Sequence, residues 1–176
     1  YDHVGGNSEL KKKYDTKVIG FFGDKDRIPE IDISLKDKEI WKYENFELKI
    51  FHIPGHTSGH ICFSFFKDEL LFTGDTLFSL GCGRIFEGTY EQMFNSLNLL
   101  KTFPKDTKIY CGHEYTLKNS EFCLKNDQEN LKLKEKIIII KEKLNRGEPT
   151  IPTTLKEELE CNIFLRSDNK SIQENL

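Results

Sequence analysis

The sequence has 176 residues and a formal net charge of −3, and its 26 Lys and Arg residues are scattered among 29 Asp and Glu residues. This length predicts one domain, or one domain with an appendage, because domains usually contain roughly 100–200 residues. No basic face is visible that could neutralise a run of phosphates, so we expect no nucleic-acid partner. The longest apolar run, residues 137–140, is far shorter than the ~20 residues that cross a bilayer, so we also expect no membrane span.

The five cysteines are an odd number without a C-x-x-C pair, which matches neither a secreted disulfide framework nor a zinc ribbon. We therefore expect a reducing compartment, the cytoplasm. The sequence begins Tyr1-Asp2-His3 without a Met, so its first residues read as the middle of a motif, and the lack of a targeting signal there carries little weight.

The first third of the chain is predicted to contain a short helix followed by strands. Asn7 is expected to cap a helix after the Gly5-Gly6 turn. Residues 17–21 have the branched and aromatic side chains of a strand. Residues 46–53 alternate with the period of a half-buried strand and lead into Pro54-Gly55-His56.

A hairpin and a helix are predicted next. Two apolar runs, residues 61–66 and 70–72, indicate a hairpin that leads into Thr73-Gly74-Asp75. Thr89 and Gln92 have capping-box spacing and predict a helix of about three turns. The apolar face of this helix is expected to contain Tyr90, Met93, Phe94, Leu97 and Leu100.

The last third is predicted to be mainly helical. Residues 108–111 form a short predicted strand that ends at Gly112-His113-Glu114. Residues 117–146 fit one or two helices, stopped by Gly147. A further helix is expected to start at Thr154-Leu155-Lys156-Glu157.

Histidine and aspartate residues follow several of these strands. Asp2-His3, His56, Asp75 and His113 each lie just after a predicted strand or at a glycine-containing turn. Because strand ends converge on one edge of a sheet, we expect these side chains to lie together. Imidazole and carboxylate suit zinc and other first-row divalent ions, and a mixed set leaves positions open for water. The pattern predicts a catalytic metal site, although a single histidine at a strand end is more often a hydrogen-bonded structural residue.

Four motifs, in order, resemble those of the metallo-β-lactamase superfamily. Asp2-His3-Val4-Gly5-Gly6-Asn7 resembles the second half of its T-H-x-H-x-D-H signature, and Pro54-Gly55-His56-Thr57-Ser58-Gly59-His60 resembles the next ligand loop. Thr73-Gly74-Asp75-Thr76-Leu77-Phe78 resembles the bridging-carboxylate loop, and Gly112-His113-Glu114-Tyr115-Thr116 resembles the last ligand motif of glyoxalase II. The resemblance continues through Gly81-Cys82-Gly83-Arg84, residues 147–154 and residues 162–166.

This resemblance implies an α/β fold, the αββα metallo-β-lactamase sandwich, followed by a C-terminal helical subdomain. We expect residues 1–115 to form the metallo-β-lactamase domain and residues 116–176 the glutathione-binding helical subdomain. The resemblance also implies that the sequence is truncated at the N-terminus and at the C-terminus, so both domains are expected to be partial.

The resemblance implies two divalent metal ions, zinc first, with iron or manganese as alternatives. One ion would be held by Asp2, His3 and His113, the other by His56, and Asp75 would bridge both. Asp75 and His56 are thereby the implied catalytic residues. Two further His ligands would precede residue 1, so we expect the sequence taken alone to bind at most one ion tightly, to be poorly soluble and to have essentially no thioesterase activity.

For the substrate, the resemblance implies S-2-hydroxyacylglutathione thioesters. A metal-bound hydroxide would hydrolyse S-D-lactoylglutathione to glutathione and D-lactate, the second step of methylglyoxal detoxification. Arg84 would offer a fork of donors to a glutathione carboxylate. Tyr115 and Phe86 would complete the substrate site, with Phe86 standing where the family often has Tyr. We expect a monomeric, cytoplasmic enzyme whose partner is this small thioester.

Two alternatives stay open. A persulfide dioxygenase-like enzyme of the same fold also carries a G-C-G-R loop but binds a single iron, and the Gly112-His113-Glu114-Tyr115 motif and the helical extension favour glyoxalase II over it. The other alternative is a non-catalytic remnant that binds glutathione or another partner. His60 is interpreted as structural or as support for a ligand, His52 as a packing or surface residue, and Cys82 as structural.

Overall fold

Residues 3–175 are described by a computed structural model. The helices of this part of the chain are α1 (Asn7–Tyr14), α2 (Tyr90–Leu100), α3 (Thr116–Asn126), α4 (Leu131–Asn145), α5 (Leu155–Cys161) and α6 (Lys170–Asn175). The strands are β1 (Ile19–Phe21), β2 (Ile33–Leu35), β3 (Ile40–Tyr43), β4 (Phe46–His52), β5 (Ile61–Phe65), β6 (Leu70–Gly74), β7 (Leu77–Phe78), β8 (Gly81–Cys82), β9 (Lys108–Cys111) and β10 (Thr153–Thr154). Among these helices, none is long and apolar enough to cross a bilayer.

A six-stranded mixed sheet with the order β10-β9-β6-β5-β4-β3 lies at the centre of the fold. Strands β3 to β6 form an antiparallel meander, because each is joined to the next by a short turn. Strand β9 pairs parallel to β6 after a crossover that contains α2. As a result β4, β6 and β9 point in the same direction, and their C-terminal ends lie at the same edge of the sheet.

One face of this sheet is covered by helices. The buried side chains of Leu71 and Ile109 project from β6 and β9 against Leu97 and Leu100 of α2. Leu155 of α5 packs into the same cluster. Fully burying a side chain of this size contributes roughly 1.5–3 kcal/mol, so the cluster is a main source of the stability of the fold.

The opposite face is covered by a second, smaller sheet. Strands β1 and β2 pair parallel to each other, and Leu35 of β2 packs on Leu48 and Ile50 of β4. The period-2 pattern predicted for residues 46–53 is therefore confirmed, with the buried side chains of β4 facing this second sheet. The two packed sheets and the flanking helices confirm the predicted sandwich.

The C-terminal part of the chain is mainly helical, as predicted. Its core contains Leu133 and Ile137 of α4, Cys123 of α3 and Cys161 of α5. Leu80, from the turn between β7 and β8, inserts into this core. The helices are therefore packed directly against a turn of the N-terminal part of the chain.

The predicted capping box is confirmed at α2, the predicted helix start at Thr154 is confirmed for α5, and the predicted cap of α1 is wrong. Thr89 with Gln92 and Thr154 with Glu157 form complete capping boxes at α2 and α5. Asn7 does not cap α1. It is the first residue of the helix, after Gly6, and its side-chain amide donates to the carbonyl of Pro29.

The predicted apolar face of α2 is also partly wrong. Met93, Leu97 and Leu100 are buried as expected, but Tyr90 is 87% exposed and Phe94 is 53% exposed. The buried stripe instead includes Ser96, whose hydroxyl donates to the carbonyl of Pro54. Only the stripe formed by Met93, Ser96, Leu97 and Leu100 is buried, so the two aromatic rings at its margins stay in solvent.

A buried carboxylate joins the helices to the turn between β7 and β8. Glu158 of α5 is fully buried, and its Oε2 accepts from the backbone amide of Leu80 at 2.7 Å and from the side-chain amide of Asn162 at 3.0 Å. Its Oε1 lies 2.7 Å from the Thr153 hydroxyl and 3.3 Å from Nζ of Lys136 in α4. One side chain thus connects α4, α5, β10 and the β7–β8 turn.

We predict that Lys136→Met lowers the free energy of unfolding by about 3–5 kcal/mol, because removal of one partner of a buried ion pair leaves the other uncompensated. The matched control is Lys132→Met, one turn earlier on α4, where the pair with Glu135 is exposed and little change is expected. Urea unfolding of both variants measures the difference. Equal stability of the two variants would contradict the role given to Lys136.

Candidate metal centre

Three imidazole rings converge on one oxygen of Asp75. The distances from Asp75 Oδ2 are 2.9 Å to Nε2 of His3, 3.3 Å to Nε2 of His56 and 3.3 Å to Nε2 of His113. His3, Asp75 and His113 each offer a ligand atom within 4.8 Å of the others. The structure therefore brings together four of the five metal ligands expected from the sequence, and Asp2 lies outside the described residues.

The sheet explains why residues so distant in sequence meet. His56 follows β4, Asp75 follows β6 and His113 follows β9. These three strands point in the same direction, so their C-terminal ends deliver the side chains to one edge of the sheet. His3 reaches the same edge from the segment that precedes α1.

The carboxylate of Asp75 has the surroundings expected of a metal ligand. The residue is only 3% exposed, and within residues 3–175 its Oδ1 is buried without a hydrogen-bond partner. A Cβ atom at Gly112 would lie 2.3 Å from this oxygen, so only glycine allows the carboxylate to sit here. Burial of an unpaired carboxylate oxygen is costly unless a cation compensates it. His3, His113 and this carboxylate together fit a divalent cation.

One hydrogen bond and two aromatic contacts orient the ligand imidazoles of His56 and His113. Nδ1 of His56 donates to the backbone carbonyl of Arg84 at 2.8 Å, which leaves Nε2 directed at Asp75. The ring of His113 stacks on Tyr115, with centroids 5.0 Å apart and an interplanar angle of 11°. The ring of Phe86 lies 4.9 Å from that of His56. Aromatic side chains thus flank two of the three imidazoles.

His60 supports the centre through a hydrogen bond with the backbone of Asp75. Its Nε2 accepts from the backbone amide of Asp75 at 2.9 Å, and its Nδ1 lies 3.3 Å from the Thr57 hydroxyl. Burial lowers the pKa of His60 to about 4, because it disfavours the charged imidazolium. The neutral ring can therefore keep its acceptor nitrogen towards Asp75, in agreement with the supporting role expected for His60.

The remaining candidate side chains of the sequence analysis have structural surroundings. The ring of His52 stacks on Phe21 with centroids 4.4 Å apart, and its Nε2 donates to the carbonyl of Ser58. Burial raises the pKa of Cys82 to about 12, so its thiol stays protonated near neutral pH. Both observations agree with the packing and structural roles expected from the sequence.

A cleft of about 1070 Å³ opens over the metal centre. Arg84, Phe86 and Tyr115, which the sequence analysis assigned to the substrate, all line it. Phe86 is 70% exposed and Tyr115 is 50% exposed, so both rings are accessible from the cleft. Further lining residues were missed by the sequence analysis, among them Phe78, Leu80, Lys118, Asn119, Phe122 and Phe164. Positions 115, 118, 119 and 122 have helical spacing on one face of α3, which is a signal that could have indicated the lining residues of α3.

A charged network beside the loop that carries His56 was also missed. Glu87 accepts from both terminal nitrogens of Arg27 and from the backbone amide and hydroxyl of Ser58. The hydrogen bond from Arg27, followed by those from Ser58, lowers the pKa of Glu87 to about 2. Arg27 and Glu87 are 60 residues apart, and neither lies in a recognisable motif.

Comparison with known proteins follows the division of the chain into a sandwich and a helical part. Residues 1–113 match the family model of the metallo-beta-lactamase superfamily, and residues 114–176 match that of the hydroxyacylglutathione hydrolase C-terminus. The hydroxyacylglutathione hydrolase of Pelagibacter ubique is 69% identical over 167 residues, which are 95% of this chain and 70% of that protein. The chain belongs to the hydroxyacylglutathione hydrolase family. The resemblance recognised from the motifs is thereby confirmed.

Solved structures agree with the fold of this hydroxyacylglutathione hydrolase family member. The B3 metallo-beta-lactamase BLEG-1 is similar with a TM-score of 0.65 and 19% identity, over 93% of this chain and 71% of that one. The di-iron-bound form of TTHA1623 is similar with a TM-score of 0.52 and 25% identity, over 63% of this chain and 64% of that one. The expected metallo-β-lactamase fold is therefore confirmed, and membership of this superfamily implies that the hydroxyacylglutathione hydrolase centre binds divalent metal.

We predict that Gly112→Ala weakens the affinity for Zn²⁺ by about 10–100-fold, the range typical for residues that orient metal ligands. The added methyl group would overlap Asp75 Oδ1 and displace the carboxylate. Gly6→Ala is the control, because a Cβ there meets only the Leu10 side chain at an ordinary 3.6 Å. Competition with a chelator measures the affinity. Equal affinities of the two variants would show that the position of Asp75 does not govern metal binding.

Proposed function

We propose that this protein hydrolyses S-2-hydroxyacylglutathione thioesters at the Asp75 centre, with S-D-lactoylglutathione giving glutathione and D-lactate. The observation that carries the proposal is the convergence of His3, His56 and His113 on Asp75 at the base of a cleft lined by Arg84. The name of the Pelagibacter ubique relative, hydroxyacylglutathione hydrolase, supports the substrate class.

The ligand set supports two divalent ions. His3 and His113, together with Asp2 from the sequence motif, would hold one ion, His56 would hold the other, and Asp75 would contact both. We propose zinc first, and the di-iron-bound form of TTHA1623 supports iron as an alternative. When bound, such ions lower the pKa of water and supply the hydroxide that hydrolysis needs near neutral pH.

The side chains around the centre hold its components in place for this reaction. His60 fixes the backbone amide of Asp75, and the carbonyl of Arg84 fixes the ring of His56. The rings of Phe86 and Tyr115 pack against those of His56 and His113. A centre that is organised before the substrate arrives avoids the cost of rearrangement during the reaction.

The cleft suits a tripeptide thioester in size and chemistry. Its volume of about 1070 Å³ lies at the upper end of ligand pockets, which hold roughly 300–1,000 Å³. The guanidinium of Arg84 would bind a glutathione carboxylate as a planar fork of donors. The hydroxyl of Tyr115 offers a hydrogen bond that Phe86 cannot supply. We further propose the domain boundary between residues 115 and 116, so that α3 brings one wall of the cleft from the helical subdomain.

The rival functions share this cleft and differ in their chemistry. A persulfide dioxygenase-like enzyme with one iron would consume oxygen with glutathione persulfide, and a non-catalytic remnant would bind glutathione without turnover. Parallel measurement of thioester hydrolysis and of oxygen uptake separates the three. Hydrolysis of S-D-lactoylglutathione without oxygen uptake supports the proposed function, whereas oxygen uptake without hydrolysis contradicts it.

We predict that Asp75→Asn, in a version of the protein that also carries the two upstream histidine ligands, lowers kcat for thioester hydrolysis by about 100-fold or more, the scale on which loss of one preorganised charge at a reacting centre acts. The amide removes the negative charge that the three imidazoles surround. Asp106→Asn, at an exposed loop position, is the control and should leave kcat unchanged. Steady-state kinetics measure kcat in both variants. A near-normal kcat in Asp75→Asn would show that Asp75 is not part of the catalytic centre.

A second prediction concerns Arg84→Ala, which should raise KM by about 10-fold or more with little change in kcat. A charge-assisted hydrogen bond contributes roughly 1.5–3 kcal/mol, and a contact to a remote part of the substrate is similar in the ground and transition states. The backbone carbonyl that orients His56 remains in this variant, so metal content should not change. A large fall in kcat at unchanged KM would place Arg84 at the reacting atoms instead.

A further inference from the structure

Three segments of the chain meet at a charged network beside the loop that carries His56. Glu87, in the loop that follows Arg84, accepts from the backbone amide of Ser58 at 2.9 Å and from its hydroxyl at 2.9 Å. Both terminal nitrogens of Arg27, in the connection between β1 and β2, also donate to Glu87. The loop that carries His56 is thus joined to two other segments through one carboxylate.

The same two loops are also joined through their backbones. The amides of Phe86 and Glu87 donate to the carbonyl of His56 at 3.1 and 3.3 Å, and the amide of Gly88 donates to the carbonyl of Gly55 at 3.1 Å. In return, Nδ1 of His56 donates to the carbonyl of Arg84. The position of residues 84–88 relative to residues 55–58 therefore determines the direction in which Nε2 of His56 points.

The connection between β1 and β2 supports this arrangement from outside. Nη1 of Arg27 lies 3.3 Å from Asp24 Oδ1 as well as within reach of Glu87. The carboxylate of Asp24 packs directly on Gly59, where a Cβ atom would lie 2.0 Å from Oδ2. The guanidinium is therefore held between two carboxylates, and the segment that carries it is seated against the His56 loop.

We propose that Arg27 and Glu87 are positioning residues that orient His56 towards the Asp75 centre by locking the His56 loop to the Arg84 loop. This inference rests on the proposed role of His56 as a metal ligand. An isolated exposed ion pair contributes little to stability. Here, however, the carboxylate joins a bidentate guanidinium to a backbone amide of the ligand loop, so loss of the network changes ligand geometry more than it changes unfolding.

A matched pair elsewhere on the surface provides the control. Arg146 donates to both carboxylate oxygens of Glu148 at 2.8 and 2.9 Å, and both side chains are about half exposed. Neither residue lines the cleft. Arg146→Met therefore removes a bidentate pair of the same kind without touching the loop of His56.

The test measures the apparent affinity for each of the two Zn²⁺ ions by chelator competition, in a version of the protein that also carries the two upstream histidine ligands, for Glu87→Gln, Arg27→Met, the double variant and Arg146→Met. We expect a loss of about 10-fold or more in each single variant, and no larger loss in the double variant because the two residues act as one unit. Arg27→Lys, which keeps the charge without the fork, should restore part of the affinity. Affinities equal to that of Arg146→Met would overturn the proposal, whatever happens to the free energy of unfolding.

A smaller substitution tests the proposal even where the larger substitutions prevent folding. Ser58→Ala removes the hydroxyl contacts to Glu87 and Arg27 and keeps the backbone amide contact to Glu87. It should weaken Zn²⁺ affinity measurably but less than Glu87→Gln, and an unchanged affinity would count against the proposal. Because these measurements use Zn²⁺ without the thioester, the orientation of His56 is tested separately from the proposed hydrolysis of the thioester.

Discussion

The burial of the Asp75 carboxylate is the constraint on which the rest of the centre depends. One oxygen is surrounded by three imidazole nitrogens and the other is buried against Gly112. A carboxylate removed from water in this way is tolerated only where positive charge compensates it. The surrounding groups each preserve this geometry, since Gly112 leaves room for the carboxylate and His60 accepts the amide hydrogen of Asp75. The geometry that buries the Asp75 carboxylate at this sheet edge is therefore also the geometry that metal binding requires.

The direction of the strands brings the other ligand side chains to the same edge of the sheet as Asp75. Strands β4, β6 and β9 are parallel in direction although only β6 and β9 are direct parallel neighbours, because the antiparallel β5 lies between β4 and β6. Side chains that follow these strands meet at one edge without any long-range motif in the sequence. The loops of that edge also carry Arg84 and Phe86, so the groups proposed to contact the substrate and those proposed to hold the metal are built on the same scaffold.

Local signals in the sequence predicted local structure well. The capping box at Thr89, the helix start at Thr154 and the β5–β6 hairpin depend on residues only a few positions apart, and they occur where expected. The ordered motifs also indicated which imidazoles lie near Asp75. Contacts between distant segments left no such trace, because Arg27 and Glu87 have no periodicity or propensity that relates them. The margins of α2 were mispredicted for a related reason, since burial there depends on which distant segments pack against the helix.

Glu158 has a consequence for how the chain unfolds. Its carboxylate accepts a hydrogen bond from the backbone amide of Leu80, 78 positions earlier. The neighbouring Asn162 donates to the carbonyl of Gly81, the first residue of β8. The C-terminal helices consequently hold one wall of the cleft by buried polar contacts that neither half can satisfy alone. The residues on the two sides of the division between the family models, at residues 113 and 114, should therefore unfold together. Amides of the β7–β8 turn and of α5 should exchange with solvent in a single opening event, as parts of one folding unit.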